Sequence, residues 1–185
     1  KTIFTNALAT QAYFDLYKGL YTVRHIDWGN GGLQYDRNFE PTIRGFDYNH
    51  LSLSDLSIKA DSFYYCDSRI DLKVREATFR EKSGLAVDSL RGRFMMDSLR
   101  LSLPYLWFTT PTSQVRMNMG MDLNAFDDIR PGVFEMEMHG AIGRKDLMLF
   151  VGDAMPRALV KTWPQYPLVV NGKMRGNMQK MYLSG

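Results

Sequence analysis

The clearest pattern in the chain is the strict alternation of apolar residues in Val115–Asn124. Every second residue there is apolar, and the residues between them are polar or glycine. Successive side chains of a β-strand point to opposite faces, whereas a helix would distribute this pattern around its whole circumference. The segment is therefore predicted to be a strand with one apolar face and one polar face.

The same period of two recurs along the chain. It is clear at residues 70–75, 99–103 and 134–139, and weaker at 51–58, 85–90 and 174–178. Repeated short strands separated by turn signals are typical of an antiparallel meander, and we predict about ten of them. The apolar positions of neighbouring strands are then expected to share one face of the sheet.

Turn residues separate these predicted strands. Asn171-Gly172 between Val169-Val170 and Lys173-Met174 predicts a type I′ hairpin turn, because both central residues of that turn need a positive φ. Ser83-Gly84, Pro131-Gly132 and the cluster Gly29–Gly32 are expected to form further turns.

Two segments lack the alternation. Thr5–Lys18 contains scattered apolar residues, and Gly19 is suited to cap a helix there. Asp146–Thr162 has apolar residues at spacings of three and four, with Pro156 in the first turn of a second short helix and Asp153 as its N-cap. We predict one or two short helices in a helical interruption near 146–162.

Composition narrows the class of protein. Hydrophobic residues make up 45% and charged residues 23% of the 185 residues, which is typical of folded chains and argues against disorder. The net charge of +3 comes from scattered basic residues, so nucleic acid is not expected as a partner. Residues 1–185 begin at Lys1 in patterned sequence and contain no apolar run of the roughly 20 residues that span a bilayer. We expect a single β-rich segment of a longer protein whose leader or anchor lies outside it.

Residues with catalytic or metal-binding chemistry do not form a recognisable motif. His25, His50 and His139 are far apart and are expected to be solvated or turn-facing, so we predict no metal site and no cofactor. Cys66 has no disulfide partner and is expected to be a small buried hydrophobe. The hydroxyl-rich segment 109–113 is interpreted as the break between two strands. We predict no catalytic residues.

Three segments carry a resemblance to a known family. They are Phe46–Leu56 (FDYNHLSLSDL), Phe79–Leu85 (FREKSGL) and Phe108–Val115 (FTTPTSQV), and Leu149–Gly176 is similar to a helix-then-hairpin interruption of the same proteins. The chain thus resembles the AsmA-like family, in particular its translocation and assembly module branch, TamB, of Bacteroidetes type. The resemblance implies an elongated antiparallel meander curled into a U-shaped, apolar groove. It also implies a periplasmic location, an inner-membrane anchor outside this segment, and a part in outer-membrane biogenesis.

The leading hypothesis is a non-enzymatic, envelope-spanning scaffold whose groove carries or shields the acyl chains of phospholipid or another lipid, with the outer-membrane assembly machinery as a further partner. The chain has 12 methionines, and flexible thioether side chains adapt to ligands of no fixed shape. The predicted groove lining is Leu51, Leu53, Ile70, Leu72, Val74, Leu99, Leu101, Leu103, Val115, Met117, Met119, Met121, Phe134, Met136 and Met138.

Two alternatives remain open at this point. In a closed β-sandwich or solenoid that binds glycans or acts as an adhesin, the same apolar residues form a sealed core, and Trp28, Trp107 or Trp163 contacts the ligand. In a carbohydrate-active enzyme, a carboxylate pair such as Glu76 with Glu81, or Asp127 with Asp128, acts as acid and base. Alternation alone does not separate a trough from a sandwich, because both have one apolar strand face.

Overall fold

The computed structural model describes residues 2–3, 6–36, 39–47, 49–125, 127, 129–151, 156–177 and 179–185, with backbone alone at 2–3, 6–10, 157 and 159. The described residues form eleven strands and two helices. The strands are β1 (Thr2–Ile3), β2 (Asn6–Asp15), β3 (Leu20–Asp36), β4 (His50–Cys66), β5 (Arg69–Glu81), β6 (Ala86–Met96), β7 (Arg100–Thr109), β8 (Gln114–Asp122), β9 (Phe134–Ile142), β10 (Leu168–Gly176) and β11 (Met181–Ser184). The helices are α1 (Arg144–Val151) and α2 (Arg157–Thr162).

All the described strands belong to one antiparallel sheet in which β3 to β11 follow each other in chain order. Both β1 and β2 pair with β3, β2 along Leu20–Gly29 and β1 at Gly32 and Leu33. They extend the same edge, so the sheet is ten strands wide and open. The predicted mainly β meander with one or two short helices is confirmed, and the open sheet is consistent with a curl.

In β4 and β7 the apolar residues change between odd and even residue numbers along the strand. A β-bulge at each change keeps the apolar side chains on one face of the sheet. In β4 the apolar series runs through odd residue numbers to Leu53, changes to even numbers at Leu56 and returns to odd numbers at Phe63. The register to β5 shifts at both changes, and Asp55 in the first has a φ of 50°. A bulge adds one residue to a strand and so restores the facing of the residues beyond it. The same occurs in β7, where the register shifts between Leu103 and Leu106.

Most of the buried side chains lie towards one end of the sheet, which we call the capped end. There the β3–β4 connection meets α1: Phe46 N–H donates to the Leu149 carbonyl at 2.8 Å, and the rings of Phe46 and Phe150 are 5.0 Å apart. In a flat sheet β4 and β9 would be roughly 24 Å apart, five strand spacings. The connection and the helix together bridge the sheet. Nearly buried side chains near this end include Leu56, Ala77, Leu85, Val87 and Val115.

A buried carboxylate attaches α1 to the turn between β7 and β8. Asp146 lies in the first turn of α1 and is 4% exposed. Its Oδ2 accepts hydrogen bonds from the hydroxyls of Thr110, Thr112 (2.7 Å) and Ser113 (2.5 Å). Buried carboxylates are stable only when such donors replace water. The predicted strand break at 109–113 is therefore also the attachment point of the helix.

Two sequence-based predictions are wrong in the first and last parts of the sheet. Thr5–Lys18 is not a helix: its described part forms β2 and the turn after it, because pairing with β3 overrides the weak local pattern. Asn171-Gly172 is not a turn: it lies within β10 and pairs with His139 and Met138. Gly172 instead permits a close approach of β11, since a Cβ there would lie 2.8 Å from the Ser184 carbonyl oxygen.

The glycine cluster Gly29–Gly32 also lies within a strand, β3, and the prediction of a turn is wrong. Asn30 has a φ of 51°, and the register to β4 shifts here. The left-handed residue thus forms a bulge within the strand. Gly31 lies under the Trp28 indole, because a Cβ at Gly31 would be 2.3 Å from Nε1 of that ring.

The remaining predicted breaks are confirmed. Gly84, in the turn between β5 and β6, has a φ of 98°, and Pro131-Gly132 lies between β8 and β9. Both helices lie in the predicted region, and Pro156 precedes the first residue of α2. Asp153, predicted as the N-cap, lies outside the described residues. Neither described helix has the length and apolarity needed to cross a bilayer.

Candidate functional site: the apolar face of the sheet

Cross-strand pairing joins the apolar residues into rows that run across the sheet. Residues paired across neighbouring strands point to the same face. One row contains Ile26, Ala60, Val74, Gly92, Leu106, Met117, Met138 and Gly172, one residue from each strand from β3 to β10. The sheet thus has a continuous apolar face, and the glycines leave shallow places in it.

A second row lies nearer the end of the sheet opposite the capped end. It contains Phe14, Tyr21, Tyr65, Ile70, Met96, Leu101, Met121, Phe134, Gly176 and Met181. The aromatic rings of β2, β3 and β4 in this row are in contact, with ring centroids 5.9 Å apart for Phe14 and Tyr21 and 5.7 Å apart for Tyr21 and Tyr65. The row reaches both edges of the sheet, so the apolar face extends over its full width.

The predicted lining residues lie together on this face, and Leu99 alone lies outside the strands, at the margin of the face. All the predicted residues except Leu99 lie in strands. Leu51 pairs with Tyr35, and Leu53 pairs with Leu33, at the end of the sheet near the β3–β4 connection. Leu99 lies in the β6–β7 turn and is 75% exposed, because β7 begins only at Arg100. It lies at the margin of the face, opposite the capped end.

The sequence pattern did not predict a further set of residues that also lie on this face, similar in number to the predicted lining residues. They include Val23, Ile26, Ile58, Ala60, Phe63, Tyr65, Phe94, Met96, Leu106, Phe108 and Met174. Most of them lie beyond a change of phase, where strict alternation points to the wrong face. The sequence signal for such a change is two consecutive residues between apolar positions, as in Val23-Arg24-His25-Ile26 and Leu103-Pro104-Tyr105-Leu106, and the structure places both inner residues of each segment at the exposed surface.

A hollow of about 430 Å³ lies on the apolar face near the β11 edge. Met136 and Met138 of β9, Val170 and Met174 of β10, and Leu183 of β11 line it. Gly172 lies among them and contributes no side chain, which provides part of the space. The lining is mostly apolar and flexible, and it suits a hydrocarbon chain of no fixed shape.

The face is not covered by a second sheet within the part of the chain that the structure describes. The described strands belong to a single sheet, and their extensive contacts are with their neighbours in it. Met117, Met119, Met136 and Met138 are accordingly partly exposed, whereas Val115, near the capped end, is 1% exposed. Contiguous apolar surface on this scale is unusual for a soluble monomer.

The capped end contains the only buried histidine among the described residues. His50 Nδ1 lies 3.0 Å from Asp47 Oδ2, and its Nε2 lies 3.4 Å from Asp36 Oδ1. The expectation that each histidine is solvated or turn-facing therefore needs correcting for His50, which is turn-adjacent but buried. Burial by itself raises the pKa of Asp47, but hydrogen bonds from Ile43 N–H, His50 and Asn49 N–H outweigh it and hold the pKa below its usual 3.8.

We expect acid to loosen the capped end through Asp47. Because its pKa is lowered on folding, its contribution to stability is complete above the unfolded pKa of about 3.9 and is lost as the pH falls through the folded value. Urea unfolding of the wild type and of Asp47→Asn between pH 6 and pH 3 should show a shallower loss of stability in the variant. Asp88→Asn, at an exposed carboxylate, is the matched control; equal pH dependence of Asp47→Asn and the wild type would contradict the prediction.

The candidate carboxylates Glu76 and Glu81 take part in hydrogen bonds and ion pairs within the fold. Glu81 is buried, and its carboxylate accepts hydrogen bonds from Ser83 N–H at 2.7 Å and Ser52 N–H at 3.4 Å, while Glu76 pairs with Lys59 at 3.3 Å. Asp128 lies outside the described residues. Cys66 is a free, half-buried thiol at the end of β4. The described residues contain no group of three or more His, Cys, Asp or Glu side chains arranged to hold a metal ion.

The tryptophans of the alternative hypothesis do not lie together. Trp28 pairs with Ile58 in an apolar row, and Trp107 lies on the opposite, polar face. Trp163 follows the last residue of α2. Comparison with protein-family models, with curated proteins and with solved structures finds no match for this chain.

Proposed function

We propose that this chain is a non-enzymatic scaffold segment whose apolar face holds or shields the acyl chains of a phospholipid. One observation carries the proposal: the apolar rows cross the whole sheet and remain partly exposed, with a hollow of about 430 Å³ lined mainly by methionine, valine and leucine side chains. Each buried CH₂ group of a lipid contributes about 0.8 kcal/mol, so a few carbons in the hollow suffice for measurable affinity.

The arrangement explains how a hydrocarbon chain can be held without a specific pocket. The strands satisfy their backbone hydrogen bonds through their neighbours, so the apolar face presents few polar groups to a guest. The rows run across the strands, and a chain lying along them meets the same kind of side chain at each step. By the resemblance described above, the protein acts in the periplasm as part of an envelope-spanning scaffold, and the outer-membrane assembly machinery is a partner.

Organic extraction of the purified protein, followed by mass spectrometry, tests the proposal. We expect phospholipid to co-purify in roughly stoichiometric amount and to be displaced by a spin-labelled fatty acid. The absence of lipid, together with no saturable binding of the spin label, would contradict the proposal and favour a module that binds a polar ligand.

A further inference from the structure

Trp107 lies on the polar face of the sheet between two arginines. Its neighbours across the strands are Arg91 of β6 and Arg116 of β8. The Arg91 Cζ lies 3.5 Å from the centroid of the Trp107 ring, and the Arg116 Cζ lies 4.5 Å from it. Contact with an aromatic ring stabilises a guanidinium group but leaves its N–H donors free to bind an acceptor.

The positive charge of this pair is not balanced by a carboxylate. Elsewhere on the polar face, Arg93 pairs with Asp71 at 2.5 Å and Arg100 pairs with Asp122 at 2.6 Å. Arg91 and Arg116 form no ion pair with any described residue. Glu137 lines the same hollow, but its carboxylate already pairs with Lys173 at 3.3 Å and lies 3.2 Å from His139.

The hollow beside the arginines has a surplus of hydrogen-bond donors. Its volume is about 620 Å³, and Arg91, Trp107 and Arg116 line it. Asn118, Glu137 and His139 also line it, but Asn118 Nδ2 donates to the Glu137 carboxylate at 3.3 Å and His139 Nε2 lies 3.2 Å from it, so the surplus comes from the two arginines and the indole. The Trp107 Nε1–H is buried and has no acceptor among the described residues. Each guanidinium has five N–H donors and no acceptor. A ligand that satisfies such a site brings several oxygen acceptors and a negative charge.

From this geometry we propose that the hollow around Trp107 binds the phosphoryl group of an anionic ligand. Guanidinium groups match phosphate oxygens in a bidentate, charge-assisted arrangement, and two adjacent arginines neutralise a dianion. The site lies on the face opposite the methionine-lined hollow. Binding there is consequently independent of acyl-chain binding, and either can fail without the other.

Two-dimensional ¹H–¹⁵N NMR of the indole groups tests the proposal directly. The chain has three tryptophans, and Trp107→Phe assigns the Trp107 signal. Inorganic phosphate, added at constant ionic strength, is expected to shift this signal saturably and to leave the other two unchanged. Arg91→Gln and Arg116→Gln should each weaken the apparent affinity about tenfold or more, the effect of losing one charge-assisted hydrogen bond.

Arg75→Gln is the matched control, because Arg75 is an exposed arginine that pairs with Asp61 at 3.6 Å. The absence of a saturable Trp107 shift, or equal weakening by all three substitutions, would overturn the proposal. Sedimentation with phosphatidylglycerol and phosphatidylcholine vesicles then identifies the source of the phosphoryl group. Arginine-dependent binding to the anionic vesicles alone assigns it to a lipid headgroup, and phosphate binding without vesicle binding assigns it to a soluble compound.

Discussion

Met138→Glu is expected to abolish the co-purification of phospholipid. Met138 pairs with Met117 and with Gly172, and it lines the hollow near the β11 edge. A carboxylate there must either remain hydrated, which fills the hollow with water, or lose its hydration against the acyl chain, which costs several kcal/mol. Lipid extraction and titration with a spin-labelled fatty acid should show at least a tenfold loss of affinity.

Tyr182→Glu is the matched control for this prediction. Tyr182 lies in β11, is 68% exposed and pairs with Arg175 on the other face, so the same added charge leaves the apolar face unchanged. Leu183→Glu is a second test, since Leu183 lines the hollow but is 77% exposed, and we therefore expect the variant to fold. Retention of lipid by both Met138→Glu and Leu183→Glu would contradict the proposed role of this face.

Asp146→Ala is expected to give the largest loss of stability among single substitutions of charged residues. The Asp146 carboxylate accepts hydrogen bonds from three hydroxyls, of which those of Thr110 and Ser113 are buried. Removing it leaves these donors without an acceptor, at a cost of roughly 3 kcal/mol. Urea unfolding followed by circular dichroism should show a lower midpoint with an unchanged slope.

Lys145→Ala tests whether the effect belongs to the carboxylate or to the helix. Lys145 precedes Asp146 in α1 and is exposed. Because alanine favours the helix slightly, the free energy of unfolding of this variant should stay within about 0.5 kcal/mol of that of the wild type. A similar loss in both variants would mean that α1 is marginal and that the hydroxyl contacts contribute little. Asp146→Asn should lie between the two, because an amide oxygen still accepts some of these bonds.

The alternation of apolar residues was sufficient to predict the sheet and much of its apolar face. Met117, Met119 and Met121 lie on one side of β8, and Met136 and Met138 continue the same rows in β9. This succeeded because β8 and β9 pair without a register shift, and the facing of a side chain in a regular strand depends on residue number alone. The helical interruption was also predicted correctly, since spacings of three and four are a local property.

Local patterns were insufficient where a residue's role depends on a neighbouring strand. Asn171-Gly172 has the sequence of a turn, but β9 pairs with both residues and β11 pairs with the residues directly after them, which keeps the segment extended. The bulge at Asp55 is likewise set by pairing with β5. Such a register shift decides on which face every later residue of the strand lies. The sequence pattern therefore did not predict the apolar-face residues that lie beyond a shift.

The sequence by itself determined the class of structure: period-two alternation makes strands, and strands with one apolar side make a sheet. The tertiary structure alone decided what closes one end of that sheet. Phe46 meets Leu149, and Thr110 meets Asp146, across long stretches of chain, and no local pattern in those segments predicts either contact. The physical reason is that the facing of a side chain is fixed by its own backbone, whereas burial and partnership depend on which distant segments the folded chain brings together.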